Sequence, residues 1–568
     1  MRPRTPPRWI LPAAPDVGAI TALAEALHLP DTVCRLLQVR GFTNTEAAKR
    51  FLRPRLDQLH DPMSLKGLPE AVERLVRAIE RGETILVHGD YDVDGMASTA
   101  LLTRSLRAMG ARIVPFVPRR IEDGYDLSSA GVAAAKTAGA RLVITADCGT
   151  SAHAAVAALT AAGIDVIISD HHLPSGPVPD CLAVLNPRQP GCQYPDKDLA
   201  AAGVVFKLAL AVARRLGVSE GPVFAFLDLV ALATVADVAP LRGENRVFVR
   251  KGLRLLANST NLGLRALIRA SGLEGKALTA GRVGFTLAPR LNAVGRIGQP
   301  MRGLELLLTE REAEAGRLAQ ELEELNGQRQ DLDRRALVEA REMVERLDLN
   351  ETYGIVLADP GWHPGVIGIV AARLVEEFAR PTILVALSET EGRGSGRSIP
   401  AFDLHAGLVA CSDVLLRYGG HRAAAGVTVA RDRVAEFTAR FNAAARARLR
   451  PEDLVPELRV DLEVSVDEVT PALEAILRHF EPFGMGNPAP TLLVRRARLA
   501  SPPRPVSQDS LKLRLAGEGG TLDAVAWGAA HRLEELGVDR PVDVIFRVER
   551  DDWLGQERVQ ARVTDFHV

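Results

Sequence analysis

The chain has 568 residues, 47 % of them hydrophobic, with a formal charge of −1. That length and apolar content support three or four domains with ample cores and exclude a disordered or fibrous chain, while the near-zero charge means that any nucleic-acid surface must come from local clustering. No apolar run reaches membrane-spanning length, and Cys34, Cys148, Cys181, Cys192 and Cys411 form no metal or disulfide pattern, so a cytoplasmic protein without a membrane partner is predicted.

Residues 1–75 read as a helical segment broken at Pro30 and Pro54, expected to pack on the domain that follows. An α/β catalytic domain is predicted over 76–300. Its first strand, ending Ile85-Leu86-Val87-His88-Gly89, runs into Asp90, Asp92 and Asp94. Alternate residues of an extended chain point the same way, so the three carboxylates are expected on one side. Crowded like charges of this kind call for a cation, although a solvated acidic turn has the same composition. The pattern recurs where Leu142–Ala146 ends in Asp147 and where Val166–Ser169 ends in Asp170-His171-His172. Helix-length Ala/Leu-rich stretches between these runs predict βαβ units and a parallel sheet, with the site beyond the carboxyl ends of the strands. The run Leu229–Ala236 ending in Asp237 reads instead as a helix entering a loop.

Carboxylates and imidazoles without clustered thiolates suit Mn, Mg, Fe or Zn. Their number exceeds what one ion needs and suits two divalent metals about 4 Å apart, bridged by a shared carboxylate. Histidine among the ligands tilts the choice toward Mn2+, with Mg2+ as the alternative. Metal-assisted phosphoester hydrolysis is the predicted chemistry.

Over 301–350, Thr309 and Glu312 suggest a capping box. The apolar residues after them recur at spacings of three and four, which predicts a connector helix of roughly 38 residues, about 57 Å long. A second α/β unit is predicted over 351–455, with strands at Tyr353–Asp359 and Pro381–Ala386. Its glycine-rich Arg393–Ser398 stretch reads as a turn that could cradle an anion. From 456 to 568, short alternating runs with one helix near 529–536 predict an OB-like β-barrel. Arg495, Arg496, Trp527 and Trp553 are its candidate DNA contacts, the tryptophans reading equally well as core or turn residues.

His88–Gly95, Asp147-Cys148-Gly149, Asp170-His171-His172 and Asp237 resemble the four motifs of the DHH phosphoesterase superfamily. Pro118–Tyr125, Leu287–Arg296, Trp362–Gly368, Gly394–Ser398 and Gly419-Gly420-His421 extend the likeness, over roughly residues 10–568, to the RecJ family of 5′→3′ single-strand DNA exonucleases. The resemblance implies a DHH parallel-sheet domain and a smaller DHHA1 domain joined by the long helix, followed by the OB-like barrel. It implies Asp90, Asp92, Asp94, Asp147, His171 and Asp237 as metal ligands, with Asp147 as the bridge and His172 facing the scissile phosphate. His88 is either a further ligand or is replaced in that role by Asp90, and Asp170 either orients the histidines or is a structural strand-end carboxylate. Arg120, Ser395 and Arg397 would hold the terminal 5′ phosphate, and His421 the phosphate nearest the metals. Arg290, Asn292 and Arg296 belong to a substrate-binding motif, the two arginines either gripping the backbone or forming structural ion pairs.

The implied activity is removal of 5′-mononucleotides from single-stranded DNA in repair and recombination, through a narrow cleft between the two α/β domains. Single-stranded DNA with a 5′ end is the implied partner, with a single-strand-binding protein and a helicase as protein partners that the residues do not specify. A monomer is expected. Some chains of this kind carry a further C-terminal domain. The alternatives are a small-substrate DHH phosphoesterase (oligoribonuclease or pyrophosphatase) and a non-catalytic replication scaffold.

Overall fold

The computed structural model describes residues 5–120, 122–124, 126–551 and 558–568. The chain divides into two units, each assembled from separate stretches. One comprises Arg53–Gln328 and Glu481–Pro488; the other comprises Met1–Leu52, Arg329–Phe480 and Ala489–Val568.

After a short first strand, β1 (Arg8–Ile10), the catalytic unit is built on β2 (Thr84–Gly89), β3 (Arg112–Phe116), β4 (Leu142–Ala146), β5 (Asp165–Ser169) and β6 (Ala183–Leu185). All neighbours are parallel, in the order β3-β2-β4-β5-β6. The chain leaves β2 toward β3 on one side and returns to β4 on the other, so the crevice between β2 and β4 is the topological switch point. Helices cover the sheet, among them Val93–Ala108 and Ala201–Leu216, both almost wholly buried along their length. A buried ion pair, Lys207 Nζ to Glu244 Oε1 at 2.5 Å, sits inside this core. The hydroxyl of Tyr194 donates to the other Glu244 oxygen at 2.6 Å.

The second unit carries β7 (Ile355–Asp359), β8 (Thr382–Leu387), β9 (Glu391–Arg397), β10 (Arg417–Gly420) and β11 (Ala424–Ala430), in the order β10-β11-β9-β8-β7. The Gly-Arg-Gly-Ser-Gly-Arg stretch is therefore not the expected turn: it is β9, paired on both edges with β8 and β11. Gly392, Gly394 and Gly396 alternate onto one face, where a Cβ would press into Val385, Val427 and Leu404. Arg393, Ser395 and Arg397 occupy the other face.

The C-terminal strands are β12 (Glu457–Arg459), β13 (Leu462–Glu463), β14 (Leu492–Leu499), β15 (Arg504–Pro505), β16 (Leu511–Ala516), β17 (Thr521–Ala526), β18 (Val542–Asp551) and β19 (Arg558–His567). Ladders run β14-β18-β19-β17-β16, and β16 pairs back onto β14, which closes a five-stranded barrel. The expected helix at 529–536 is a 3-10 segment, Ala530–Glu535.

The N-terminal segment was expected to pack on the catalytic domain, and the structure corrects this up to Leu52. β1 pairs in parallel with β12. Arg35 reaches Glu468 at 2.6 Å, Arg40 reaches Asp461 at 3.3 Å, and Phe51 meets Phe480 edge to ring. Complementary charge and aromatic burial thus bind residues 8–52 to sequence more than 400 positions away. The connector helix runs from Glu312 to Glu345, 34 residues, and the division between the units falls within it. The capping box predicted for it is replaced by Thr309 Oγ1 donating to Glu314 at 2.7 Å.

Candidate metal centre and its relatives

Three strand ends supply the site. Asp90 follows β2, Asp147 follows β4, and Asp170-His171-His172 follows β5; Asp237 comes from the C-terminus of helix Leu227–Ala236. The three early carboxylates do not alternate along an extended chain as expected. The chain turns into helix Val93–Ala108, so Asp92 is the N-cap, accepting from Gly95 N–H at 3.0 Å, and Asp94 lies in the first turn. Gly95 makes this turn feasible, because a Cβ there would meet the Asp90 backbone at 2.5 Å. Asp94 also accepts the N–H groups of Ala201 and Ala202 at 2.8 and 2.9 Å, so it caps helix Ala201–Leu216 as well. Asp147 holds a left-handed backbone, φ 74°, of the kind that clusters at functional sites.

The ligand atoms converge in three overlapping sets: Asp90, Asp92 and Asp147; Asp147, His171 and His172; Asp94, His171 and Asp237. Within each set the atoms lie within 4.8 Å of one another. His171 Nε2 is 3.2 Å from Asp147 Oδ1 and 3.8 Å from Asp237 Oδ2. Asp90 Oδ1, Asp147 Oδ1 and His171 Nε2 are buried without a hydrogen-bond partner. Buried polar atoms left so in an oxygen- and imidazole-rich cluster fit a hard divalent cation.

The electrostatics agree. Burial, then repulsion from the neighbouring carboxylates, pushes Asp147 well above the carboxylate range, and Asp90 and Asp237 are raised chiefly by the same burial. Burial with Asp92 beside it lifts Asp94 to about 6. Burial lowers His171 to about 3, which leaves the neutral imidazole a metal requires. Burial opposes charge on His172, but the hydrogen bond to Asp170 and the surrounding carboxylates outweigh it and raise the group to about 9.

A cavity of about 280 Å³ opens on this cluster, lined by Asp90, Asp92, His172 and Asp237 and by Tyr91, Arg120, Asn292 and Arg296. Arg120 lies 5.2 Å from the Tyr91 ring centre, a cation–π pair that aims the guanidinium. Tyr91 was missed in the sequence; its signal was an aromatic residue set between two of the acidic positions. Asn292 Oδ1 accepts from Val93 N–H at 3.2 Å. Asn186, also missed, donates to Thr150 Oγ1 and to the His172 carbonyl at 3.1 and 2.8 Å. It comes from β6's far end, and no motif marked it. His88 lies outside the three sets: its Nδ1 is 3.5 Å from Cys148 Sγ, and its ring fills the space a Cβ on Gly131 would need. Arg290 forms a two-pronged ion pair with Glu323.

Residues 84–234 match the DHH family, N-terminal domain; residues 350–447 match the DHHA1 domain; residues 460–565 match the RecJ OB domain. The chain is 37 % identical over 561 residues to the single-stranded-DNA-specific exonuclease RecJ of Bacillus subtilis, covering 98 % of this chain and 70 % of that protein. It belongs to the RecJ family. Crystal structures of RecJ from Thermus thermophilus in complex with Mn2+ and with Mg2+ superpose on 99 % of this chain and on 79 % and 78 % of theirs, with TM-scores of 0.86 and 0.80 and identities of 35 % and 33 %. RecJ family members are metal-dependent exonucleases, and the acidic and imidazole groups here are positioned to hold such ions. The match to this family across nearly all of this chain disfavours the small-substrate and scaffold alternatives. Among the described residues no helix is long and apolar enough to cross a membrane.

In the second unit, Arg397 Nη1 donates to Ser395 Oγ at 3.2 Å beside Gly368, where any Cβ would crowd both side chains. His421 directly follows β10, whose last two residues are Gly419 and Gly420, and is exposed, its N–H donating to the Ala424 carbonyl at 2.8 Å. On the barrel, Arg495 is paired with Glu463 and Asp543, Arg496 sits in a bulge of β14, and Trp527 is half exposed. Trp553 lies outside the described residues.

Proposed function

We propose that this RecJ family exonuclease shortens single-stranded DNA from its 5′ end, releasing mononucleotides, and serves DNA repair and recombination. The observation that carries this reading is the convergence of Asp90, Asp92, Asp94, Asp147, His171 and Asp237, with unpartnered buried ligand atoms, on one wall of a cavity that also presents Arg120, Asn292 and Arg296.

Two divalent ions held by these six residues, Mn2+ before Mg2+, supply an activated water and neutralise charge at the phosphate. Asp147, common to two of the ligand sets, is the carboxylate suited to be shared. Arg120 and Arg296 attract and orient the phosphodiester, as guanidinium groups do. His172 engages Asp170 through Nδ1, which leaves Nε2 for a phosphate oxygen or the leaving oxygen. Asp170 acts through His172 and not on the substrate. His88, tied to Cys148, serves the strand end. Ser395, Arg397 and His421 bind phosphates of the strand, Ser395 and Arg397 that of the 5′ terminus. Arg495, Arg496 and Trp527 contact DNA on the barrel. Arg290 supports the cavity through its pair with Glu323.

The test incubates 5′-labelled and 3′-labelled single strands and duplexes with enzyme and Mn2+, beside Asp147→Ala. Only single strands shorten, from the 5′ end, and the variant is inactive; internal cuts or equal loss of duplex overturn the reading. Arg120→Ala with Arg397→Ala lowers cleavage of 5′-phosphorylated ends while Mn2+ binding is kept.

A further inference from the structure

Two apolar side chains on segments that lead into the cavity lining are placed against their own interest. Helix Leu227–Ala236 ends with Ala239 N–H donating to the Thr234 carbonyl, which puts Val238 in the left-handed position, φ 58°. Glycine is the usual occupant of that position, and a β-branched residue there is strained. Val238 gains no burial in return, being 57 % exposed, and it directly follows Asp237. Phe285 is 87 % exposed and lies in a π-helical turn, Val283–Leu287, a feature frequent at functional sites.

The segments that carry them pack together. Val238 N–H donates to the Val235 carbonyl at 3.2 Å, and the Val235 side chain is 3.4 Å from where a Cβ on Gly284 would sit. Phe285 also heads an outward stripe. Phe285, Pro289, Asn292 and Arg296 follow spacings of four, three and four, and none is buried, while their neighbours Leu287, Ala288, Leu291 and Val294 are. The last two of the stripe line the cavity. Eleven residues at the helical rise span about 16 Å, so the ring stands at the far end of a surface that starts at the metal centre.

We propose that Val238 and Phe285 form an apolar platform for a nucleobase of the strand whose phosphates enter the cavity. This rests on the exonuclease reading above and adds the base as a recognised group. Carboxylates and arginines handle phosphate, whereas an exposed aromatic ring offers a face to any of the four bases, so the contact is independent of sequence.

The experiment measures binding and cleavage of an oligothymidylate strand and of an abasic deoxyribose-phosphate strand of equal length, by wild type, Phe285→Ala, Phe285→Trp and Val238→Gly. Wild type favours the thymidylate strand. Phe285→Ala raises KM for that strand about 10-fold, leaves the abasic strand unchanged, and Phe285→Trp restores the preference. Val238→Gly relieves the backbone, so its melting temperature rises by about 2 °C while its KM for the thymidylate strand also rises. A purely structural valine would not move the two in opposite senses. The platform is refuted if Phe285→Ala and Val238→Gly keep the wild-type preference for bases. Failure of wild type to cut either strand would instead refute the exonuclease reading.

Discussion

Asp170 Oδ1 lies 2.7 Å from His172 Nδ1, and the same carboxylate accepts the N–H groups of Thr150, His171 and His172. A carboxylate that already takes three backbone donors can only accept from the ring, so Nδ1 carries the proton and Nε2 is presented to the cavity. Asp170→Asn should preserve the loop but misorient the ring. We expect kcat to fall about 10- to 100-fold with KM for single strands little changed. Activity within twofold of wild type would show that Asp170 serves only the backbone.

The raised carboxylates at the metal centre are a liability without cations, since burial and mutual repulsion both disfavour their charged forms. Asp147→Asn removes one charge, and asparagine tolerates the left-handed backbone of this position. Scanning calorimetry of the chelated proteins should show the variant melting at or above wild type. Added Mn2+ should stabilise wild type by about 2.7 kcal/mol at a hundredfold excess over Kd and leave the variant nearly unmoved. A variant that melts lower after chelation contradicts the repulsion argument.

Lys207 and Glu244 are both fully buried, and burial lowers the Lys207 pKa despite its partner. Glu244→Ala would strand the ammonium and leave Tyr194 without its acceptor. Urea titration should show a loss of about 3–5 kcal/mol, much of it recovered when Lys207→Met is added. No recovery would mean that Glu244 acts mainly through the Tyr194 and His60 bonds.

Alternate glycines let β9 lie under Val385 and Val427. Gly394→Ala is expected to cost about 1–3 kcal/mol by overpacking, seen as a lower melting temperature. Gly419→Ala, where a Cβ meets no atom within 4 Å, is the matched control. Equal melting of the two would remove the packing explanation for the motif.

The metal centre is legible in the sequence because apolar strands ending in acids are conspicuous, and because the sheet places β2, β4 and β5 side by side. The geometry around Asp92 is not, since alternation assumes an extended chain and the helix N-cap begins there. The Arg393–Ser398 run reads as a turn because glycine frequency normally signals one. Its period of two is the better clue, pointing to a strand with one flat face. The pairing of β1 with β12 leaves no local trace. It joins Arg8 to Glu457 through a long-range ion pair, and neither three-residue strand has a distinctive pattern of its own.

That pairing has a consequence for synthesis. Arg8 and Glu457 are 449 positions apart, and a ribosome adding about 5–20 residues each second needs about 20 to 90 s to cover the interval. Throughout that time the leading arm has no edge to bind. The catalytic unit waits as well, for Glu481–Pro488, whose Met485 carbonyl receives the Leu241 N–H. The catalytic unit has its last segment once Pro488 is made, whereas the other unit needs the chain through Val568, so a chain truncated before residue 457 would leave both unfinished.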